Sequence, residues 1–212
     1  MDYTTENLPQ EVIDTLAGYM GNFSTKNARF RRAVCEHLGL EWRGVNGSGN
    51  CFFDSICLLL RAVGAAGADA LTPIRLRQDV VRLFHACVSD PHPLCERIAV
   101  ELEFEASQPL ICSSRAKMQT GEKVHGLNPV TVPRYLEACA VDGVWVTGSH
   151  WLRAISVLHS VRVGVVIFGQ EIIRFFGEGQ QTILLYKVLS ICGAVRFSAA
   201  LIFLTDRCWH AF

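Results

Sequence analysis

The sequence carries almost no imbalance of charge. Lys plus Arg and Asp plus Glu both number 20, giving a formal net charge of zero, and no block of basic residues interrupts the balance. Without a cationic stripe the chain has no means of neutralising a phosphate backbone or settling on anionic lipid, so neither nucleic acid nor membrane is expected as a partner. Metal-ligand spacing is missing as well. None of the nine cysteines stands in a Cys-x-x-Cys pair and the seven histidines are scattered, so neither a zinc site nor a disulfide framework is indicated. No metal or other cofactor is expected, and most of the thiols read as small buried hydrophobes. The opening residues MDYTTENLPQ are polar and acidic with no apolar run behind them, the reverse of a secretory leader, and point to a cytoplasmic chain. Internal repeats and low-complexity tracts are absent, and the Asn-x-Ser triplets at Asn22 and Asn46 read as unused glycosylation sequons.

One stretch, residues 183 to 204, is long enough to cross a bilayer, but it holds Lys187, Ser190, Gly193, Arg196 and Ser198. Two buried strands with a turn near Gly193 explain it better. What is present in quantity is apolar surface: 212 residues at 50% hydrophobic content and a mean hydropathy of +0.25 suffice for one sizeable core. The expected organisation is a short N-terminal arm over 1–26 and a single domain over 27–212.

Helical periodicity predicts an element from Asn27 to Leu40, stopped by Gly39, and a second, buried on most sides, over CFFDSICLLLRAV. Thr72 and Pro73 supply a cap and a first-turn proline for a third, which runs to Ser89-Asp90-Pro91. Residues 105 to 130 are polar and broken by Pro109, Gly121, Gly126 and Pro129, and read as an irregular segment suited to touching a substrate. Short helices follow over 131–141 and 149–159, the latter capped by Ser149. The last third is strand-like: VRVGVVIF, EIIRFF, TILLYKVL and VRFSAALIFL, with CWHAF as a final strand. Helices first and strands last predict an α+β fold, a small central mixed or antiparallel sheet sandwiched by helices.

The stretch with chemical character is NGSGNCFFD, residues 46 to 54, which sets Cys51 at the start of the second helix behind a glycine-rich loop. Unpaired N–H groups and the helix dipole favour a thiolate there over a thiol, and the glycines allow backbone amides to converge on one point. A buried structural cysteine behind a turn accounts for the same residues. A phosphate-binding loop fits less well, because the Lys-Ser/Thr pair is missing. A thiolate nucleophile needs an acid/base partner, and among the histidines His210 is set apart by its place between Trp209 and Phe212 on the expected terminal strand, although a strand histidine is more often a satisfied packing residue.

GNCFFDSI resembles the nucleophile motif of the ovarian-tumour (OTU) family of cysteine deubiquitinases, an Asp-Gly-Asn-Cys loop opening an aromatic and apolar helix. LRQDVVRLF at 76 to 84 is similar to the family's second helix, YLEACAVDGVWVTGSHWLRAIS at 135 to 156 to its Gly-x-Trp block, and WHAF to its closing histidine strand. The resemblance spans roughly 42 to 212. It implies an OTU-like cysteine protease fold, Cys51 as nucleophile, His210 as general base and later acid, and backbone amides of Ser48, Gly49 and Asn50 as the oxyanion hole. It places Trp145, Val146 and Trp209 along a narrow channel for the tail of ubiquitin. The implied partner is ubiquitin, polyubiquitin or a ubiquitin-like modifier, met by a monomer in the cytoplasm, or in the host cytoplasm for a viral or intracellular bacterial source.

Three positions depart from the family pattern. Ser48 stands where the motif has aspartate, Phe212 where an Asp or Asn would orient the histidine, and Val146 where Gly commonly follows the tryptophan. Asp206 is about 13 Å from His210 along an extended strand, too far to take the orienting role. A catalytically impaired OTU-like ubiquitin-binding protein, or a viral-type protease processing its own polyprotein, fits the same motifs.

Overall fold

A computed structural model describes residues 3–17, 22–45, 50–89, 93–110, 112, 116–146, 148–189 and 195–203. In chain order the elements are β1 (Tyr3–Asn7), α1 (Gln10–Asp14), α2 (Phe23–Leu38), β2 (Leu40–Gly44), α3 (Cys51–Ala62), α4 (Pro73–Ser89) and α5 (Pro93–Ala106). After these come α6 (Val132–Cys139), α7 (Ser149–His159), β3 (Val161–Ile167), β4 (Ile172–Phe176), β5 (Gln181–Leu189) and β6 (Val195–Phe203).

The strands form one six-stranded mixed sheet in the order β1-β4-β3-β5-β6-β2. Only β3 and β5 run parallel; every other neighbouring pair is antiparallel. Side chains alternate across a strand, and here both faces are apolar because both are covered. On one face Val161, Val163, Val165, Ile183 and Leu185 join a core built from α3 to α7. On the other, Val166, Leu184, Tyr186 and Ile173 pack against Val12 of α1 and Phe30 and Val34 of α2. The Tyr186 hydroxyl donates to Asn27 Oδ1 at 2.6 Å, satisfying the one polar group this second layer buries from the centre of β5. The protein is therefore α+β, with helices on both sides of the sheet.

Several elements differ from their expected bounds for local reasons. The first long helix starts at Phe23, because the Asn22 side chain accepts from the Thr25 amide and caps it four residues earlier than its apolar stripe begins. Residues 1–26, set apart as an arm, contribute an edge strand: β1 pairs with β4 in the register Tyr3 opposite Phe176, and Val12 is buried in the second core. Helix α5 had no expectation behind it. Its buried positions Cys95, Ile98, Leu102 and Ala106 follow helical spacing, but Val100 and Phe104, each 66% exposed, blur the stripe. It also takes the first two residues of the segment expected to be irregular; the described remainder holds only the isolated bridges Cys112–Val144 and Lys117–Lys123.

Helix α4 is capped as its sequence foretells, with the Arg75 amide donating to Thr72 Oγ1 at 3.3 Å. In α7 the cap is Gly148 and not Ser149, which is the first helical residue and turns its hydroxyl elsewhere. The apolar stretch 183–204 divides between β5 and β6, and among the described residues no helix is long and apolar enough to cross a membrane. The expected terminal strand at 208–212 lies outside the described residues.

Candidate functional site

Cys51 is the first residue of α3 and is 7% exposed. Phe52, Phe53, Ile56, Leu59 and Leu60 behind it are buried, and the Ser55 hydroxyl donates to the Cys51 carbonyl at 2.8 Å. The helix is thus anchored in the core along its length, and its N-terminal end carries the thiol. Asn50, the residue before it, sits at φ −101° and ψ 0°, on the right-handed helical side of backbone space.

Asn is among the best helix-capping residues, yet the Asn50 side chain makes no cap bond. Its amide is engaged by residues distant in sequence. Oδ1 accepts from Arg77 Nη2 at 2.8 Å and from the Gly143 amide at 3.3 Å, while Nδ2 donates to Asp142 Oδ1. Two donors on the oxygen and a carboxylate on the nitrogen fix the orientation of the amide, since the flipped form would set NH2 against both donors.

Arg77 lies on the inward face of α4 with Leu76, Val80, Val81 and Phe84, and is 0% exposed. Its guanidinium donates to the carbonyls of Cys139 at 2.8 Å and Val144 at 2.7 Å, besides Asn50, and its carbon stands 4.4 Å from the centre of the Phe53 ring. Burial pushes this group down to about 10, against the opposing pull of Cys139, Asp142 and Cys51. Asp54, one turn into α3, is shifted upward by burial and by the charge of Asp142, with Arg77 acting in the other direction.

Through Arg77 the loop after α6 is drawn to the start of α3. Val144 and Val146 of that loop are buried and Trp145 between them is half-buried. Cys112, from the irregular segment, bridges to Val144 on the loop's other side. Cys51, Asn50, Trp145 and Val146 thereby belong to one neighbourhood. Ser48, Gly49, Trp209 and His210 lie outside the described residues.

Reasoning from sequence passed over Arg77 and Asp142, and met Gly143 only as part of the Gly-x-Trp block. A signal existed for the first: Arg77 stands in phase with Val80, Val81 and Phe84, where helical periodicity calls for an apolar side chain. Asp142 carries no such mark, because a surface turn explains it.

A second polar cluster sits between α5 and α7. Glu101 accepts from the Ser149 hydroxyl at 2.8 Å, from Arg153, and lies 3.2 Å from Nδ1 of His150, which is fully buried. Burial works against the Glu101 carboxylate, but the bonds from His150, Arg153 and Ser149 outweigh it and hold the group down at about 2. Gly148 is obligatory here: a Cβ at that position would lie 2.1 Å from Cε1 of His150. Elsewhere, His125 Nδ1 lies 3.0 Å from the Cys112 carbonyl, and burial shifts His159 downward. Among the described residues no group of three or more His, Cys, Asp or Glu side chains could hold a metal ion. No protein-family model matches the chain, and no curated protein matches it either.

Proposed function

We propose that the chain is a cysteine isopeptidase of the OTU type, cleaving the bond after the terminal Gly-Gly of ubiquitin or a ubiquitin-like modifier in the cytoplasm. The observation that carries this reading is the join between Cys51 and the 139–146 loop. The two motifs whose resemblance suggests a nucleophile and a tail channel are brought together by Asn50 and Arg77, although separated by about ninety residues of chain. The α+β arrangement, with helices on both faces of a mixed sheet, supports the same family architecture.

In the proposed reaction the Cys51 thiolate adds to the scissile carbonyl, and backbone amides at Ser48 to Cys51 take up the negative charge on its oxygen. Collapse breaks the C–N bond, with the lysine amine leaving as His210 gives it a proton. Water, deprotonated by His210, then hydrolyses the thioester and frees the thiol. Half-buried Trp145 and buried Val146 suit a channel that admits a Gly-Gly tail and excludes bulkier side chains.

The test is reaction with ubiquitin bearing a C-terminal electrophile, read by mass. The expected result is a one-to-one adduct with the natural chain and none with Cys51→Ala, and loss of turnover in His210→Ala with an unchanged melting transition. A folded chain that forms no adduct overturns the isopeptidase reading and leaves the impaired binding protein, which Ser48 and Phe212 favour, or a protease acting on another sequence. Binding of unmodified ubiquitin separates those two.

A further inference from the structure

The strongest unassigned feature is the set of contacts that holds the Asn50 side chain away from the helix it would ordinarily cap. We propose that Arg77 and Asp142 are positioning residues, which clasp the Asn50 amide so that the backbone entering Cys51 is fixed relative to the loop bearing Trp145. The inference rests on Cys51 being the nucleophile and extends it to residues that touch neither substrate nor thiol in the reaction.

The geometry supports a positioning role over a purely structural one. Arg77 donates to an oxygen of α6, one of the loop beyond it and one of Asn50, so these segments share a single rigid fork. Asn50 carries the backbone directly into Cys51, the first residue of α3. Four partners surround it in the described contacts: Arg77, Asp142 and Gly143 on the side chain, and the Asp54 amide, which donates to the Asn50 carbonyl at 2.9 Å. An aspartate three residues before the cysteine would brace this loop from its other end, and Ser48 stands there instead. The clasp supplies a brace from the Asn50 end. Its guanidinium also sets a positive charge within electrostatic reach of Cys51, in company with Asp142.

Asp142 is exposed, so its substitution probes the clasp without opening the core. In Asp142→Ala, kcat on a fluorogenic ubiquitin C-terminal amide is expected to fall on the order of tenfold, with KM and melting temperature little changed. Asp142→Asn keeps an acceptor oxygen for Asn50 and is expected to restore most of the rate. A parallel readout needs no ubiquitin: the rate of Cys51 carboxamidomethylation by iodoacetamide, followed by peptide mass, should fall in Asp142→Ala and in Arg77→Lys and recover in Asp142→Asn. If the natural chain ignores the ubiquitin probe but alkylation follows this order, the substrate assignment fails and the clasp stands. If Asp142→Ala turns over and alkylates as the natural chain does, or loses rate only as it loses folded protein, the clasp is overturned.

Discussion

Two charges in the helical layer, half-buried Glu101 of α5 and fully buried Arg77 of α4, are treated in opposite ways. Glu101 is surrounded by donors that favour its ion, from Ser149, His150 and Arg153, and is held at about 2. Arg77 donates to two carbonyls and the Asn50 amide oxygen, and burial outweighs the pull of Cys139 and Asp142 and drives it down to about 10. The two displacements have opposite sign: the Glu101 charge stabilises the fold and the Arg77 charge opposes it. A fold keeps a costly cation where something other than stability depends on it, and only Arg77 reaches the neighbourhood of Cys51.

The sharpest way to test this contrast is Glu101→Gln. Because Glu101 is held below its ordinary value, the stability it contributes is present above about pH 4.5 and drains away as pH falls towards 2. The variant should therefore lose about 2 kcal/mol in urea unfolding at pH 7, solvent screening reducing the effect, and little at pH 2.5, with Cys51 alkylation of the folded protein unaltered. A loss independent of pH would show that packing, not charge, underlies the cluster.

Arg77→Lys comes next in expected size. A single ammonium meets fewer of the three oxygens, costing about 1–2 kcal/mol of stability, while Cys51 reactivity falls by a larger factor than that loss explains. Equal falls in both would make Arg77 a packing residue and erase the distinction from Glu101. Smallest is Asp54→Asn. The Asp54 carboxyl is raised by burial and by Asp142, so its ionised form weighs against the fold, and stability is lost as pH rises through its folded value. The amide should give a slight rise in melting temperature at neutral pH that fades on acidification. A fall would mean that the Asp54 charge assists the clasp.

What could be read from the sequence was whatever is decided within one turn of the chain. Thr72-Pro73 announced α4, and the glycine loop before CFFDSI placed Cys51 at a helix start, because caps and breakers act on residues three or four positions away. The α+β class followed from the order of periodicities. The clasp was illegible for the converse reason: Arg77 meets Asn50, Cys139 and Val144 across 27, 62 and 67 residues. Nothing local marks such pairings except an arginine in an apolar phase. Strand β2 escaped too, since LEWRG is short and half polar and becomes a strand only through its pairing with β6.

The sheet imposes an order of events on synthesis. Both of its outer strands, β1 and β2, leave the ribosome before their partners, for Tyr3 needs Phe176 and Leu40 needs Phe203 as neighbours. Closing such wide loops is entropically slow, and until β4 and β6 emerge the first 44 residues have no sheet to join. The nascent chain must therefore carry two unpaired strands and the apolar faces of α1 and α2 until β4 and β6 are made, which makes it a natural client for chaperones that shield exposed segments.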